Sequence, residues 1–219
     1  MTAGQPSAAY RSRCDFTRTT EPEGGDGAMP GKAPCFVVQI HDASATHFGF
    51  RLEADGALKS WAVPKGSSPD PHDKRLAMPT EDHPLEYQEF EGVIEAGAYG
   101  AGTVIVWDEG TYRHLSTDRH DWQIPLGHAL EEGHASFWLT GRKLHGGYSL
   151  TRFRAGSGGE REAGLLVKAA DERAVADGTT PDPRRARSAR SGHTLGQVAA
   201  ISASGTERRW RSVRWTPPS

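Results

Sequence analysis

Cysteine is nearly missing from this 219-residue chain: Cys14 and Cys35 are the only two. One lies in a polar N-terminal stretch and the other opens an apolar run. No disulfide framework is therefore expected, and a reducing compartment is. Long apolar runs are missing as well. None approaches the roughly 18 residues of a membrane span, and no apolar segment of signal-peptide type occurs near the N-terminus. The expectation is a soluble, cytoplasmic protein with no membrane partner. A strong overall charge is also lacking, since the net value is −2. That excludes a uniformly basic nucleic-acid-binding domain. The imbalance is local instead: from Pro183 to Ser219 eight arginines stand against Glu207 alone, so the rest of the chain is distinctly acidic. Finally, there is no phosphate loop. EAGAYGAGTVIVWD (95–108) is glycine-rich, but it has no GK[ST] ending and leads into a strand pattern rather than a helix.

What is present points to a sheet protein. Gly 26 and Pro 14 make the chain turn-rich. The apolar segments are short and rich in Val, Phe, Trp, Tyr and Thr. Strands are expected at CFVVQI (35–40), HFGFRLE (47–53), ALKSWAV (57–63), KRLAM (74–78), TVIVWD (103–108), TYRHL (111–115), ASFWLT (135–140), YSLTRFR (148–154) and GLLVKAA (164–170). ADG (54–56) and DEG (108–110) read as hairpin turns. Only HALEEG (128–133) and TLGQVAA (194–200) read as helical, the second with Thr194 as its cap. Closely spaced strands with short loops give a mainly β fold with short helices, a compact antiparallel barrel or a sandwich. Residues 1–33 read as a largely flexible segment of which RSRCDF (11–16) docks, 34–170 as the β domain, and 171–219 as a linker, a short helix and an Arg/Trp-rich tail. In that tail, RRWRSVRW (208–215) has the composition to stack on bases or bind phosphates.

The stretch HDASATHFGFRLE (41–53) says most about chemistry. Phe48, Phe50 and Leu52 fall on one side of an extended chain, and His47, Gly49, Arg51 and Glu53 on the other. His41, six residues before His47, shares the polar side if the extended geometry reaches back to it. Two imidazoles and a guanidinium on one face suit a divalent metal beside a phosphate. They equally suit a solvated strand face, because two histidines without a carboxylate are an incomplete ligand set. In EDHPLEYQEFEG (81–92), Pro84 biases His83 toward an extended conformation, and His83 and Tyr87 are spaced to share one side of a helical turn. Lys65, in VPKGSSPDP (63–71), follows a strand end and would be useful beside an anion.

Taken in order, FVVQIHDA, HFGFRLE, LKSWAVPKG, DKRLAM, EDHPLEY, FEGVI, YGAGTVIVWD, LHGGYSL and GLLVKAAD resemble the 3′-phosphoesterase domain family of bacterial DNA ligase D, stand-alone members included. The resemblance runs from about Arg11 to Ala170, and more weakly through SGHTLGQVAA. It implies a β-barrel with a polar site on one face and a divalent transition metal, Mn2+. It also implies removal of a 3′-terminal ribonucleoside and of the 3′-phosphate during double-strand-break end joining. DNA or RNA-terminated DNA 3′ ends would be the substrates, DNA ligase and end-joining repair proteins the partners, the nucleoid the location and a monomer the state. Carried over residue by residue, it makes His41 and His47 metal ligands and has Arg51 bind the scissile phosphate. His83 contacts that phosphate or serves as acid, and Tyr87 assists. Asp15, Glu21, Gln39, Lys65, Arg75 and Glu81 become substrate or supporting contacts. Two positions depart from the family. Gly49 stands where HxDxR supplies a third metal ligand, and Cys14 stands where an arginine usually precedes the aspartate of the DF motif. The departure at Gly49 keeps open a second function, a non-catalytic DNA-end-binding or repair-complex module of the same fold.

Overall fold

Alternation along the first strands decides the architecture. In the computed structural model, which describes residues 7–16, 19–23, 33–156 and 161–204, a short helix α1 (Ala8–Arg13) precedes the strands. These are β1 (Cys35–Asp42), β2 (Thr46–Ala54), β3 (Ala57–Val63), β4 (Lys74–Pro79), β5 (Gly92–Ile94), β6 (Gly102–His114), β7 (His134–Gly141), β8 (His145–Arg154) and β9 (Ala163–Lys168). Their order is β1-β2-β3-β4-β9-β8-β7-β6, every pair antiparallel, and β6 pairs back onto β1. Eight strands thus close a barrel without a free edge, and β5 is added to the side of β6. Phe48, Phe50 and Leu52 point into the barrel with Phe36, Ile40, Phe137 and Leu139, all at 2% exposure or less.

The ADG turn forms as expected. Asp55 and Gly56 both have positive φ, 54° and 77°, as a two-residue hairpin turn requires, and Ala54 pairs Ala57. The DEG turn does not form: β6 runs unbroken from Gly102 to His114. Asp108 is fully buried, and its carboxylate accepts the backbone N–H groups of Arg142, Lys143 and Leu144 at 2.9, 3.0 and 2.7 Å. It fixes the connection between β7 and β8 rather than reversing its own strand. Gly110 is there because the paired strands β6 and β7 press close, since a Cβ on it would lie 2.2 Å from the Thr140 carbonyl oxygen. The short β5 had no separate signal in the sequence.

The helices are α2 (Leu126–Glu131), beginning two residues before HALEEG, and α3 (Leu195–Ala203). Thr194 caps α3 through a reciprocal pair with Gln197. The stretch expected to act as linker is bonded to the barrel. Val175 N–H donates to the Pro69 carbonyl, Ala189 N–H donates to Val106, and Arg190 pairs with Glu109 at 2.7 Å. Leu195 and Val198 of α3 are buried. The Arg/Trp run 208–215 lies outside the described residues.

A second apolar layer sits on the outside of the barrel wall. Val37, Leu58, Val104 and Val106 face outward from the strands. They pack under Tyr10 of α1 and under Leu85, Tyr87 and Phe90 from a 3-10 turn (Leu85–Glu89) and its exit. The polar side of β2 therefore borders a covered layer, not an open strand face.

Candidate active site

The site forms where this outer layer stops short of the end of β1 and β2. Their register sets His41 opposite His47, Gln39 opposite Gly49 and Val37 opposite Arg51. A bulge between Val38 and Gln39 in the pairing to β6 falls beside the same residues, a place where bulges commonly re-aim side chains.

Arg51 is held from several sides. Its Nε donates to Gln39 Oε1 at 2.9 Å and its Nη1 to Ser60 Oγ at 2.7 Å. The guanidinium stands 4.8 Å from the Tyr87 ring centroid. Gln39, 1% exposed, uses its amide N–H groups on the carbonyls of Tyr87 and Phe90, both at 3.0 Å. One side chain thus latches the 3-10 turn to the barrel and aims the arginine. Ser60 donates to the Leu58 carbonyl, which leaves its oxygen lone pairs for Arg51.

Pro84 does hold His83 extended. His83 bridges to Leu58 through both backbone hydrogen bonds, and Pro84 is the N-cap of the 3-10 turn that carries Tyr87. His83 Nδ1 lies 2.8 Å from Arg51 Nη1 and 2.8 Å from the Glu81 carbonyl oxygen. One nitrogen cannot both accept and donate. The guanidinium can only donate, so the charge-assisted contact makes Nδ1 the acceptor and puts the proton on Nε2. Burial first, then Arg51, hold the imidazolium form of His83 well below its ordinary range.

His41 and His47 face each other with ring centroids 5.1 Å apart. His47 Nδ1 donates to the Ala45 carbonyl at 3.0 Å, leaving Nε2 as its acceptor. His41 Nε2 is buried and has no hydrogen-bond partner. Burial, followed by the neighbouring His47, brings the His41 pKa down to about 4. Two imidazoles, one with an orphaned nitrogen and one oriented by a backbone carbonyl, have the donor chemistry of half a transition-metal site. Among the described residues no group of three His, Cys, Asp or Glu side chains gathers to complete it. At Gly49, a Cβ would meet Arg51 Nη2 at 3.5 Å, an ordinary contact.

The N-terminal segment covers the site. Tyr10 is 1% exposed, its ring 4.9 Å from His83 and 5.7 Å from Tyr87, and its hydroxyl donates to the Pro22 carbonyl at 2.9 Å. Glu21 is buried and accepts the Tyr87 hydroxyl at 3.0 Å. Burial raises its pKa, while hydrogen bonds from Thr19 and Tyr87 and the charge on Arg51 oppose the rise. At the rim, Glu81 pairs with Arg13 at 3.1 Å.

Of the residues singled out from the sequence, His41, His47, Arg51, His83, Tyr87, Gln39 and Glu21 are thus drawn together, with Glu81 beside them. Lys65 is exposed on the turn after β3, and Asp15 is exposed just past α1. Arg75 pairs with Asp73 at 2.7 Å. Ser60 escaped notice although its place was readable. Counting outward from the ADG turn, Ala54 opposite Ala57, sets Ser60 opposite Arg51. Tyr10 and Arg13 carried no such signal, because only tertiary packing returns α1 to the barrel.

The family model described as "DNA Ligase D 3'-phosphoesterase domain" matches residues 39–152, a little over half of the chain. The chain is 47% identical over 175 residues to the "Multifunctional non-homologous end joining protein LigD" of Pseudomonas aeruginosa, covering 78% of this chain and 19% of that protein. It is 36% identical over 209 residues to the "Multifunctional non-homologous end joining DNA repair protein LigD" of Mycobacterium tuberculosis, covering 94% of this chain and 25% of that protein. The chain thus spans a quarter or less of the length of these relatives.

Proposed function

This chain belongs to the DNA ligase D 3′-phosphoesterase domain family, and on that premise we propose that it processes DNA 3′ ends in end joining, removing a terminal ribonucleoside and a 3′-phosphate. The observation that carries the reading is the fixation of Arg51. Its Nε and Nη1 are held by Gln39, Ser60 and His83, while Nη2 faces the space beside Gly49. A guanidinium fixed in this way receives a phosphate at little reorganisation cost. His83, neutral with its proton on Nε2, acts as a hydrogen-bond donor to a phosphate oxygen, and Tyr87 and Gln39 keep Arg51 and His83 in register.

The donor set of His41 and His47 fits a divalent transition metal, with manganese as the family's ion. Bound there, such an ion supplies charge neutralisation at phosphate oxygens and activation of water. The chain's own part is to present two ring nitrogens, and the depressed pKa of His41 keeps its ring unprotonated at neutral pH.

Gly49 favours a second reading, a DNA-end-binding module that holds the 3′-phosphate without turning it over. One experiment separates the two. Incubation with a 3′-phosphate primer-template and Mn2+ should release inorganic phosphate if the chain is an enzyme. Tight binding of that end with no release would establish the binding module. In either case Arg51→Ala should weaken binding of a 3′-phosphorylated end and spare a 3′-hydroxyl end. Equal losses for both ends would sink the phosphate assignment. DNA ligase and end-joining proteins are the partners this reading expects. No helix among the described residues is long and apolar enough to cross a membrane.

A further inference from the structure

Tyr99 stands at the rim of the site, 51% exposed, in the connection between β5 and β6. The next residue, Gly100, lies against the proposed metal ligand: a Cβ on it would be 3.8 Å from His41 Cε1. The Tyr99 hydroxyl accepts from Arg13 Nη1 at 2.9 Å, and the Arg13 guanidinium sits 5.3 Å from the ring centroid. The same Nη1 is 3.1 Å from Glu81 Oε2, two residues before His83. Three separate segments therefore meet at one aromatic ring: α1, the approach to the 3-10 turn, and the β5–β6 connection.

A singly exposed aromatic residue is ordinary on a protein surface. This one is unlike the other exposed rings, Trp122 and Phe153. Trp122 follows the His114 end of β6, whereas His41 and Asp42 pair with Val104 and Thr103 at the opposite end of that strand. Phe153 is near the end of β8, on the far side of the barrel order from β1 and β2. Of these exposed rings among the described residues, only Tyr99 adjoins the His41 and His83 cluster, and its hydroxyl is clamped by an arginine that is itself clamped. A ring held in place loses little rotamer freedom when something stacks on it. Half of its surface stays open, and a cation stands beside it.

We propose that Tyr99, clamped by Arg13 and Glu81, is a stacking platform for the terminal nucleobase of the strand whose 3′-phosphate Arg51 holds. The proposal rests on the phosphate assignment above. The ligand class is a 3′-phosphorylated nucleic-acid end that retains its last base. Stacking on one ring is tolerant of base identity, because every base has a π face. The platform therefore reads whether a terminal base is present and not which base it is.

The test is fluorescence anisotropy, without added metal, on three oligonucleotides: a 3′-phosphate end with its terminal base, a 3′-phosphate end with an abasic terminal residue, and a 3′-hydroxyl end with its base. Wild type should bind the abasic end about 5- to 160-fold more weakly than the first, the range expected for one base stacked on an aromatic ring. Tyr99→Ala should erase that difference. Tyr99→Phe should keep it, because the ring remains although the hydroxyl contact to Arg13 is lost. A wild type indifferent to the base would overturn the platform, and so would Tyr99→Phe behaving like Tyr99→Ala. The 3′-hydroxyl arm separates this result from the phosphate assignment. Base dependence without preference for the phosphate upholds the platform and sinks the assignment, and preference for the phosphate without base dependence does the reverse.

Discussion

Gly49→Asp is the substitution that tests the site most directly. Gly49 lies inside β2 with its neighbours paired on both sides, opposite Gln39 of β1 and Ala62 of β3. Its backbone is not in the left-handed region, and an added Cβ finds Arg51 Nη2 at 3.5 Å as its nearest neighbour. A side chain is therefore accepted without moving the strand. The new carboxylate has two possible partners. Beside Arg51 alone, a unit charge pair at about 4 Å and an effective dielectric near 20 is worth on the order of 4 kcal/mol before desolvation. With a metal held by His41 and His47, it completes a His-His-Asp set. Loss of a group that merely orients a ligand costs about 10–100-fold in affinity or activity, so gain of a direct ligand should bring at least about tenfold. Manganese titration by calorimetry and colorimetric phosphate release from a 3′-phosphate primer-template should both rise by that factor, with Gly49→Asn as the uncharged control. Wild type already matching Gly49→Asp in both assays would mean that another group supplies the third ligand. A Gly49→Asp variant with weaker phosphate binding and unchanged metal affinity would mean that the carboxylate is captured by Arg51. Either result refutes the site as drawn.

The pKa of His41, held at about 4 against an ordinary 6.5, makes the unfolded chain the stronger proton binder between those values. Its contribution to stability is full above about pH 6.5 and is lost as pH falls toward 4, by up to about 3 kcal/mol. His83 is depressed in the same direction. Chemical denaturation across pH 4–7 should show that slope, and His41→Gln should flatten part of it; an unchanged slope would place the acid sensitivity elsewhere. Tyr87→Phe removes the hydrogen bond to the buried Glu21 carboxylate and should cost about 1–3 kcal/mol, read as a fall in Tm. An unaltered Tm would show that the N-terminal cover does not depend on this bond. Truncation after Ser204 keeps the docked Arg190 and α3 but removes Arg208, Arg209, Arg211 and Arg214. The slope of log affinity for DNA against log salt should flatten by up to about four units, and an identical slope would assign the tail to folding or to a protein partner.

The β fold was legible because alternation along β2 is strict, and its closure into a barrel was implied by the family resemblance. Phe48, Phe50 and Leu52 against His47, Gly49 and Arg51 separates inside from outside, and the Asp55–Gly56 turn fixes the register of two strands. DEG misled because Asp-Gly chemistry is local, whereas Asp108 is claimed by three backbone N–H groups more than thirty residues away. At the site, residues carried on β1 and β2 could be placed on one face by counting. His83 and Tyr87 could be placed only as neighbours on one turn, with nothing in their spacing to say that the turn folds onto β1 and β2. Docking of RSRCDF was expected, but the individual contacts of Tyr10 and Arg13 were not, for a related reason. Their helix is six residues long and weakly patterned, and its position is set by an aromatic layer that exists only after the barrel closes.

That layer separates two kinds of selection. The side chains that hold the barrel closed point inward, and those of the candidate site point outward from the same strands. A change at position 49 therefore alters chemistry without touching the packing of Phe48 or Phe50. A lineage carrying this fold can exchange a carboxylate for glycine at that position, or the reverse, without loss of the fold, so the chemistry of the site is free to change while the barrel stays the same.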